Sequence, residues 1–324
     1  MSDASGWRCL GPLQRLRQRA FLCAQIRSFF AARSVTEVVT PVLSAAGNTD
    51  VQIEVFSSDG LHAEQSGSYL RTSPEFFHKR LLASGSGDIF EIAQVFRKAE
   101  LSPLHNPEFT MLEWYRLGFQ WSSLAAEVTE LINVLRAAFE LPVMQVCSLS
   151  YQQLFVNLIG LDPFAIDEDG LNEVAIAHGY HGAAMERVTA LDFLFAIAVE
   201  PRLEHDQGYL IHDFPIEQAA LAAPHPEYPD RCLRFEFLWG GVELANGYQE
   251  LTDATEQRRR FERDNQSRLQ SGKPTLPVDE HLLAAIDAGL PACSGVALGV
   301  DRLLMCLLDC DSIHQVMPFN AGNS

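Results

Sequence analysis

Three stretches of this chain gather side chains that could manage a polyanion, a cation or both. The first runs from Tyr69 to Tyr115. Arg97 ends the apolar run Ile89-Phe-Glu-Ile-Ala-Gln-Val-Phe, and a charge at the end of a buried strand needs a partner. Asn106 follows in a polar loop. Period two then places Phe109, Met111, Glu113 and Tyr115 on one face of a returning strand. Upstream, Thr72-Ser-Pro-Glu75 reads as a helix start, with Ser73 or Thr72 as N-cap and Pro74 and Glu75 in the first turn. One arginine, one asparagine, an aromatic ring and several carboxylates thus share one strand–loop–strand unit. Residue by residue, a hairpin with surface charges accounts for them equally well.

The second stretch is Val242-Glu-Leu-Ala-Asn-Gly-Tyr-Gln-Glu-Leu251. In an unbroken strand Glu243 and Glu250 point to opposite faces; a bulge at Gly247 would bring them together. They read either as two strand-edge carboxylates or as a Mg²⁺ site, since hard cations take oxygen ligands and share them with phosphates. The third stretch is Cys293-Ser-Gly-Val-Ala-Leu-Gly-Val-Asp-Arg302. Gly295 and Gly299 let backbone approach a ligand, and the helix that follows offers an anion-favouring N-terminus.

Several elements must position these groups. Residues 12–33 form an amphipathic helix with Leu22, Ile26, Phe29 and Phe30 on its apolar stripe and five arginines on or near a solvated face. Residues 34–43 form a β-branched strand stopped by Pro41. Residues 89–97 form a strand apolar on both faces and therefore central in its sheet. Between 120 and 200 the chain reads as helical, over Trp121 to Phe139 and Leu171 to Val199, with a break at Gly160 and Asp162-Pro163 and no evident chemistry. Strands follow at Tyr209 to Phe214 and Leu233 to Trp239, the latter turning at Gly240-Gly241. A charged helix spans Thr252 to Gln270, with Arg258 to Arg260 on a solvated face.

The chain has 324 residues, 47% hydrophobic and 20% charged, the balance of a globular protein. Met1 to Arg8 lacks the apolar core of a signal peptide, and the apolar run Phe193 to Val199 is too short to span a bilayer. Seven scattered cysteines without a CxxC pair fit a reduced, cytoplasmic setting. A net charge of −18 argues against a broad nucleic-acid surface, which rests on clustered lysine and arginine.

Together these stretches and the early helix and strand resemble motifs 1, 2 and 3 of the class II aminoacyl-tRNA synthetases, near residues 29–43, 89–116 and 293–308. His105-Asn-Pro-Glu-Phe-Thr-Met-Leu-Glu113 is similar to the lysyl-tRNA synthetase form. The implied fold is α+β, one catalytic domain over 1–324 with an antiparallel sheet flanked by helices. The nearest resemblance is to lysyl-tRNA synthetase paralogues without an anticodon-binding domain. That family activates (R)-β-lysine with ATP and transfers it to a lysine side chain of elongation factor P. It implies Mg²⁺ as cofactor, a homodimer and no stable tRNA binding.

By that resemblance Arg97 and Arg302 are catalytic. Lys98, Ala99, Asn106, Phe109, Glu243, Leu244 and Gly299 join them at ATP. Ser73, Pro74, Glu75, Glu113, Tyr115, Asn246, Glu250 and Ala297 line the amino-acid pocket, and Glu243 and Glu250 hold the metal. Three departures stand out. The usual Arg-x-Glu is Arg97-Lys98-Ala99, with Glu100 one place late. Leu104 replaces a basic residue of the motif 2 loop. Ala297 stands where lysyl-tRNA synthetases usually have glycine. Two other readings remain: a truncated synthetase charging tRNA or a small acceptor, and a non-catalytic amino-acid sensor.

Overall fold

Residues 108–117 divide between two environments, and the rest of the architecture follows from that division. Leu112 and Trp114 are buried in a core with Phe30, Phe90, Val296 and Leu298; Phe109, Met111, Glu113 and Tyr115 face a cavity on the other side. The computed structural model describes residues 9, 12–58 and 67–322; the expectation for Met1 to Arg8 lies outside them. Its strands are β1 (Thr36–Glu37), β2 (Leu43–Ser44), β3 (Ser57–Ser58), β4 (Ser68–Leu70), β5 (Ile89–Phe96), β6 (Glu108–Leu117), β7 (Val146–Ser150), β8 (Gly208–Pro215), β9 (Arg231–Trp239), β10 (Val242–Gln249) and β11 (Cys293–Gly299). Its α-helices are α1 (Leu13–Ala31), α2 (Glu75–Ala83), α3 (Trp121–Ala138), α4 (Tyr151–Ile159), α5 (Glu168–Ala177), α6 (Arg187–Leu194), α7 (Ala254–Gln270), α8 (Glu280–Asp287) and α9 (Val300–Leu307).

Eight strands form one sheet in the order β1-β5-β6-β11-β10-β9-β8-β7, antiparallel except for the end pairs β1–β5 and β7–β8. The fold is α+β. Apolar side chains of α1, α3 and α9 cover one face, as the i, i+4, i+7 spacing of α1 requires. Helices α4, α5 and α6 build a second core against β8, and α2 and α8 pack near the β5 and β11 ends. Among the described residues no helix is long and apolar enough to cross a membrane.

Several expectations need correction. β5 lies second from the sheet edge, beside the two-residue β1; its second apolar face is covered by helix and cavity wall rather than by further strands. The strand expected over 34–43 is interrupted: Thr36 and Glu37 pair with β5, Leu43 pairs with β4 in a separate small sheet, and Val39 between them is 91% exposed. Leu171 to Val199 is broken into α5, α6 and a π-turn at Phe195–Val199. The short strand β7 had no signal strong enough to separate it from a loop. Gly240 and Gly241 do turn the β9–β10 hairpin, with positive φ; a Cβ on Gly240 would lie 2.3 Å from the His205 carbonyl oxygen.

The arginines read as solvated are mostly spoken for. Arg33 pairs with Glu130, and Arg27 with Glu37 at 2.9 Å. Arg260 is 4% exposed and donates to the Ala220 and Ala222 carbonyls. Arg19 crosses from α1 to Asp301 and Thr110. Asp301, 1% exposed, also accepts the Thr110 N–H at 2.7 Å. That triangle ties α1, β6 and α9 together behind the cavity. Replacing Arg19 by Met leaves Asp301 buried without its cation. Because the Arg19 side chain is 23% exposed, the expected loss is at the lower end for a broken buried pair, about 2–3 kcal/mol. Urea unfolding of Arg19→Met measures it, and unchanged stability would refute the brace.

Candidate active site

A cavity of about 1000 Å³ opens on the face of the sheet opposite the α1–α3–α9 core, at the upper end for small-molecule sites. It brings together Ser73, Glu75, Arg97, Asn106, Phe109, Glu113, Tyr115, Glu243, Leu244, Asn246, Glu250, Ala297, Gly299 and Arg302. Pro74, Lys98 and Ala99 are outside its lining. The cap of α2 is Pro74, later in the chain than the expected Ser73 or Thr72, and the Ser73 hydroxyl accepts the Glu75 N–H at 3.0 Å. Lys98 is turned toward residue 54, its N–H on the Glu54 carbonyl, and Ala99 takes φ +67°.

The register of β10 explains how Glu243 reaches the cavity. The bulge lies between Glu243 and Ala245, not at Gly247. One extra residue, Leu244, shifts the alternation. Glu243 pairs with Leu238, Asn246 with Glu236 and Tyr248 with Arg234, so these residues share one face. Gly247 is required for a different reason, because a Cβ there would meet the Phe235 ring at 2.4 Å. Gly295 likewise leaves room for Tyr115 and Glu250, which a Cβ would meet at 2.2 and 2.5 Å. The expected role of Gly295 in letting backbone approach a ligand is therefore corrected: neighbouring side chains fill that space. The three atoms nearest a Cβ on Gly299 would all belong to the Arg302 side chain, at 3.7 Å or more.

One end of the cavity is cationic. Arg97 lies 3.7 Å from Glu100 and 5.4 Å from the Phe109 ring centre. Arg302 donates to the Glu243 carbonyl at 2.9 Å and the Leu104 carbonyl at 3.2 Å, and meets His105 Nε2 at 2.7 Å. Burial and the Arg302 charge push the His105 pKa down, so neutral imidazole can accept from the guanidinium. Asn106 is 4% exposed; it donates to the Glu108 carbonyl and accepts from the Ala321 N–H.

The other end is anionic and largely buried. Ser73 and Tyr115 donate to Glu113 at 2.7 and 2.8 Å. His78, fully buried, lies 3.4 Å from Glu113 and 3.0 Å from Glu91. Burial opposes its protonation, but those two carboxylates raise its pKa overall. Arg71 in turn holds Glu91 at 2.9 Å. Lys79, also fully buried, lies 2.7 Å from Glu75 and 2.6 Å from Glu250. Burial raises the pKa of both Glu250 and Glu75 despite the opposing pull of the Lys79 charge.

Sequence reasoning missed Lys79, His78, Arg71 and Glu91. The i, i+4 spacing of Glu75 and Lys79 was a signal that could have been read. It also assigned no chemistry to residues 120–200, yet Glu186, Asp192 and Glu200 line the cavity. Burial and the nearby Glu243 push Glu200 up to about 7. Glu243 and Glu250 face one cavity but have different partners, Arg302 for the first at 3.7 Å and Lys79 for the second. No group of three potential metal-ligating side chains occurs among the described residues. Glu243, its side chain 41% exposed, fits a hard cation that takes most of its oxygens from phosphate and water; Glu250 is committed to Lys79.

A cation-lined phosphate end joined to a carboxylate-lined amine end suits the activation of an amino acid by a nucleotide. Comparison with known proteins points the same way. The family model for class II tRNA synthetases (D, K and N) matches residues 11–322. The elongation factor P–(R)-β-lysine ligase of Haemophilus influenzae (strain PittGG) is 46% identical over 328 residues, covering all of both chains. The ligases of the same name from Klebsiella pneumoniae (strain 342) and Pasteurella multocida (strain Pm70) are each 44% identical over 330 residues, again covering both chains fully. The chain belongs to the class II tRNA synthetase family.

Proposed function

We propose that this chain is an ATP-dependent ligase that activates (R)-β-lysine as its adenylate and transfers it to a lysine side chain of elongation factor P. The observation that carries the reading is the two-ended cavity, with Arg97 and Arg302 at one end and Glu75, Glu113 and Glu250 at the other. Its support from relatives is full-length similarity to ligases of that name.

The substrate carboxylate attacks the α-phosphorus of ATP, forming the acyl–phosphate bond as pyrophosphate leaves. Arg97 neutralises the transferring phosphoryl group and Arg302 the leaving pyrophosphate, so catalysis is chiefly positioning and charge stabilisation. Phe109 stacks on adenine, Asn106 and Leu244 border the nucleotide, and Gly299 leaves it room. A bound Mg²⁺ would neutralise phosphate charge, with Glu243 as its protein ligand. The substrate amines take the carboxylates, with Ser73, Tyr115 and Asn246 around them and the Ala297 methyl group reshaping the pocket near the β-amine. In the second step a neutral ε-amine of the acceptor attacks the acyl carbon, AMP leaves, and the amine proton passes to solvent. Exposed Val39 and Val42 beside Pro41 support self-association as a homodimer through this segment.

Arg97→Ala and Arg302→Ala are each expected to lower ATP–pyrophosphate exchange by about 10²–10³; near-normal exchange by a folded variant would remove that residue from the chemistry. Glu243→Gln is expected to raise the Mg²⁺ concentration needed for half-maximal exchange, with little change in the KM for the amino acid. Glu250→Gln is expected to do the reverse, because its partner is Lys79. Paired Mg²⁺ and amino-acid titrations distinguish them, and identical behaviour of the two variants would contradict separate roles.

The acceptor decides between this reading and a tRNA-charging enzyme. A chain of net charge −18 is a poor partner for a phosphate backbone, and Leu104 packs on the apolar core where a basic side chain would meet an acceptor stem. Preformed β-lysyl adenylate offered to elongation factor P and to tRNA should label the protein alone. The rate should fall as pH drops and the acceptor amine stays protonated. Stable charging of tRNA with no label on the protein would overturn the proposal.

A further inference from the structure

Lys79 is the one lysine ammonium among the described residues that faces two carboxylates of the amine end, Glu75 at 2.7 Å and Glu250 at 2.6 Å, from a side chain with no solvent exposure. The two oxygens it holds are no further apart than those distances combined, too close for two buried carboxylates without a cation between them. The neighbouring cations are occupied elsewhere. Arg71 is on Glu91, and His78 lies between Glu91 and Glu113. The other titratable groups facing this cluster are Tyr115 on β6, Tyr248 on β10 and Cys293 on β11, and burial raises the pKa of each.

Charge counting gives the consequence. Glu91 is balanced by Arg71. With all three ionised, Glu75, Glu113 and Glu250 then stand against Lys79 alone when His78 is neutral, and against Lys79 and His78 when it is imidazolium. In both states the pocket lacks positive charge. A substrate with two ammonium groups supplies it; a monoamine leaves a buried carboxylate uncompensated. We propose that Lys79 is a specificity-determining positioning residue: its ammonium holds Glu75 and Glu250 as one charged pair and thereby sets how many ammonium groups the substrate must bring. Without Lys79, one of the two carboxylates takes a proton and becomes a donor. The second ammonium then meets a neutral carboxyl, which can still accept a hydrogen bond but no longer offsets its charge. The inference rests on the pocket being the amino-acid site of an adenylating ligase.

The test compares (R)-β-lysine with the analogue that lacks its terminal amine, in ATP–pyrophosphate exchange by the full chain. If the native chain exchanges with neither compound, the proposed function fails and this inference with it. If it exchanges with β-lysine, Lys79→Met should raise the KM for β-lysine roughly 10- to 100-fold. It should leave the KM for ATP unchanged and compress the preference for diamine over monoamine by a similar factor. The raised KM should recover as pH increases and the protonated carboxylate ionises, which a purely structural defect would not produce. An unchanged preference, or a parallel loss for both compounds and for ATP, would overturn the proposal. Lys79→Arg keeps the charge and serves if the Met variant does not fold: the diamine preference should persist, and its loss in the folded Arg variant would equally refute the role.

Discussion

The constraint on which the site depends is the cost of holding carboxylates away from water. Glu75, Glu91, Glu113 and Glu250 occupy one largely buried region where, among the described residues, Lys79, Arg71 and His78 balance them. Each unpaired charge there is costly, so every member is fixed by at least one short contact. Thr40 and Arg71 orient Glu91, which orients His78, and Ser73 and Tyr115 orient Glu113. The surrounding β5, β6 and α2 and the end of β10 are thereby tied together by interactions that also shape the pocket. In the proposed function, the negative charge left over is what attracts the ammonium groups of the substrate.

The sheet makes this arrangement possible by separating stability from chemistry. Its α1–α3–α9 face is apolar and filled by Phe30, Trp114, Leu298 and their neighbours, while the opposite face carries nearly all the site. Period-two alternation allows one strand to serve both faces. The Leu244 bulge is the exception on which the phosphate end depends. Without the extra residue, Glu243 would point away from the face that holds Asn246 and Tyr248.

Much of this was legible in the residues. The cavity face of β6, the apolar stripe of α1 and the glycine turn at 240–241 follow from periodicity and backbone sterics; the motif arginines and the α+β class came with the resemblance to the class II synthetases. What was not legible depends on contacts between segments distant in sequence. The partner of Arg19 is Asp301, and that of Lys79 is Glu250; neither separation carries a local signal. Gly247 looked like the bulge because glycine permits one, but Phe235 requires its missing Cβ. The charged helices looked solvated because a sequence shows which side chains can face water, not which reach across to another element. The acid-lined wall at Glu186, Asp192 and Glu200 read as ordinary helix for the same reason.

The phosphate end illustrates preorganisation by different means. Arg302 does not wait in solvent: its guanidinium is aimed by the Glu243 and Leu104 carbonyls and by a His105 ring whose pKa burial and that same cation push down. The Leu104 carbonyl belongs to the loop after β5, and the Glu243 carbonyl to the bulged start of β10. A single side chain thus reads the positions of two irregularities, a loop and a bulge, and its orientation is correct only when both are in place. Electrostatic stabilisation gains most when the charge is already aligned before the reaction and no dipoles must reorient during it. Glu243 adds a carboxylate 3.7 Å from the same guanidinium, close enough to steady it and loose enough for phosphate oxygens to compete. The geometry therefore favours a nucleotide that replaces a weak internal contact with stronger external ones, while the backbone hydrogen bonds that set the direction of Arg302 remain.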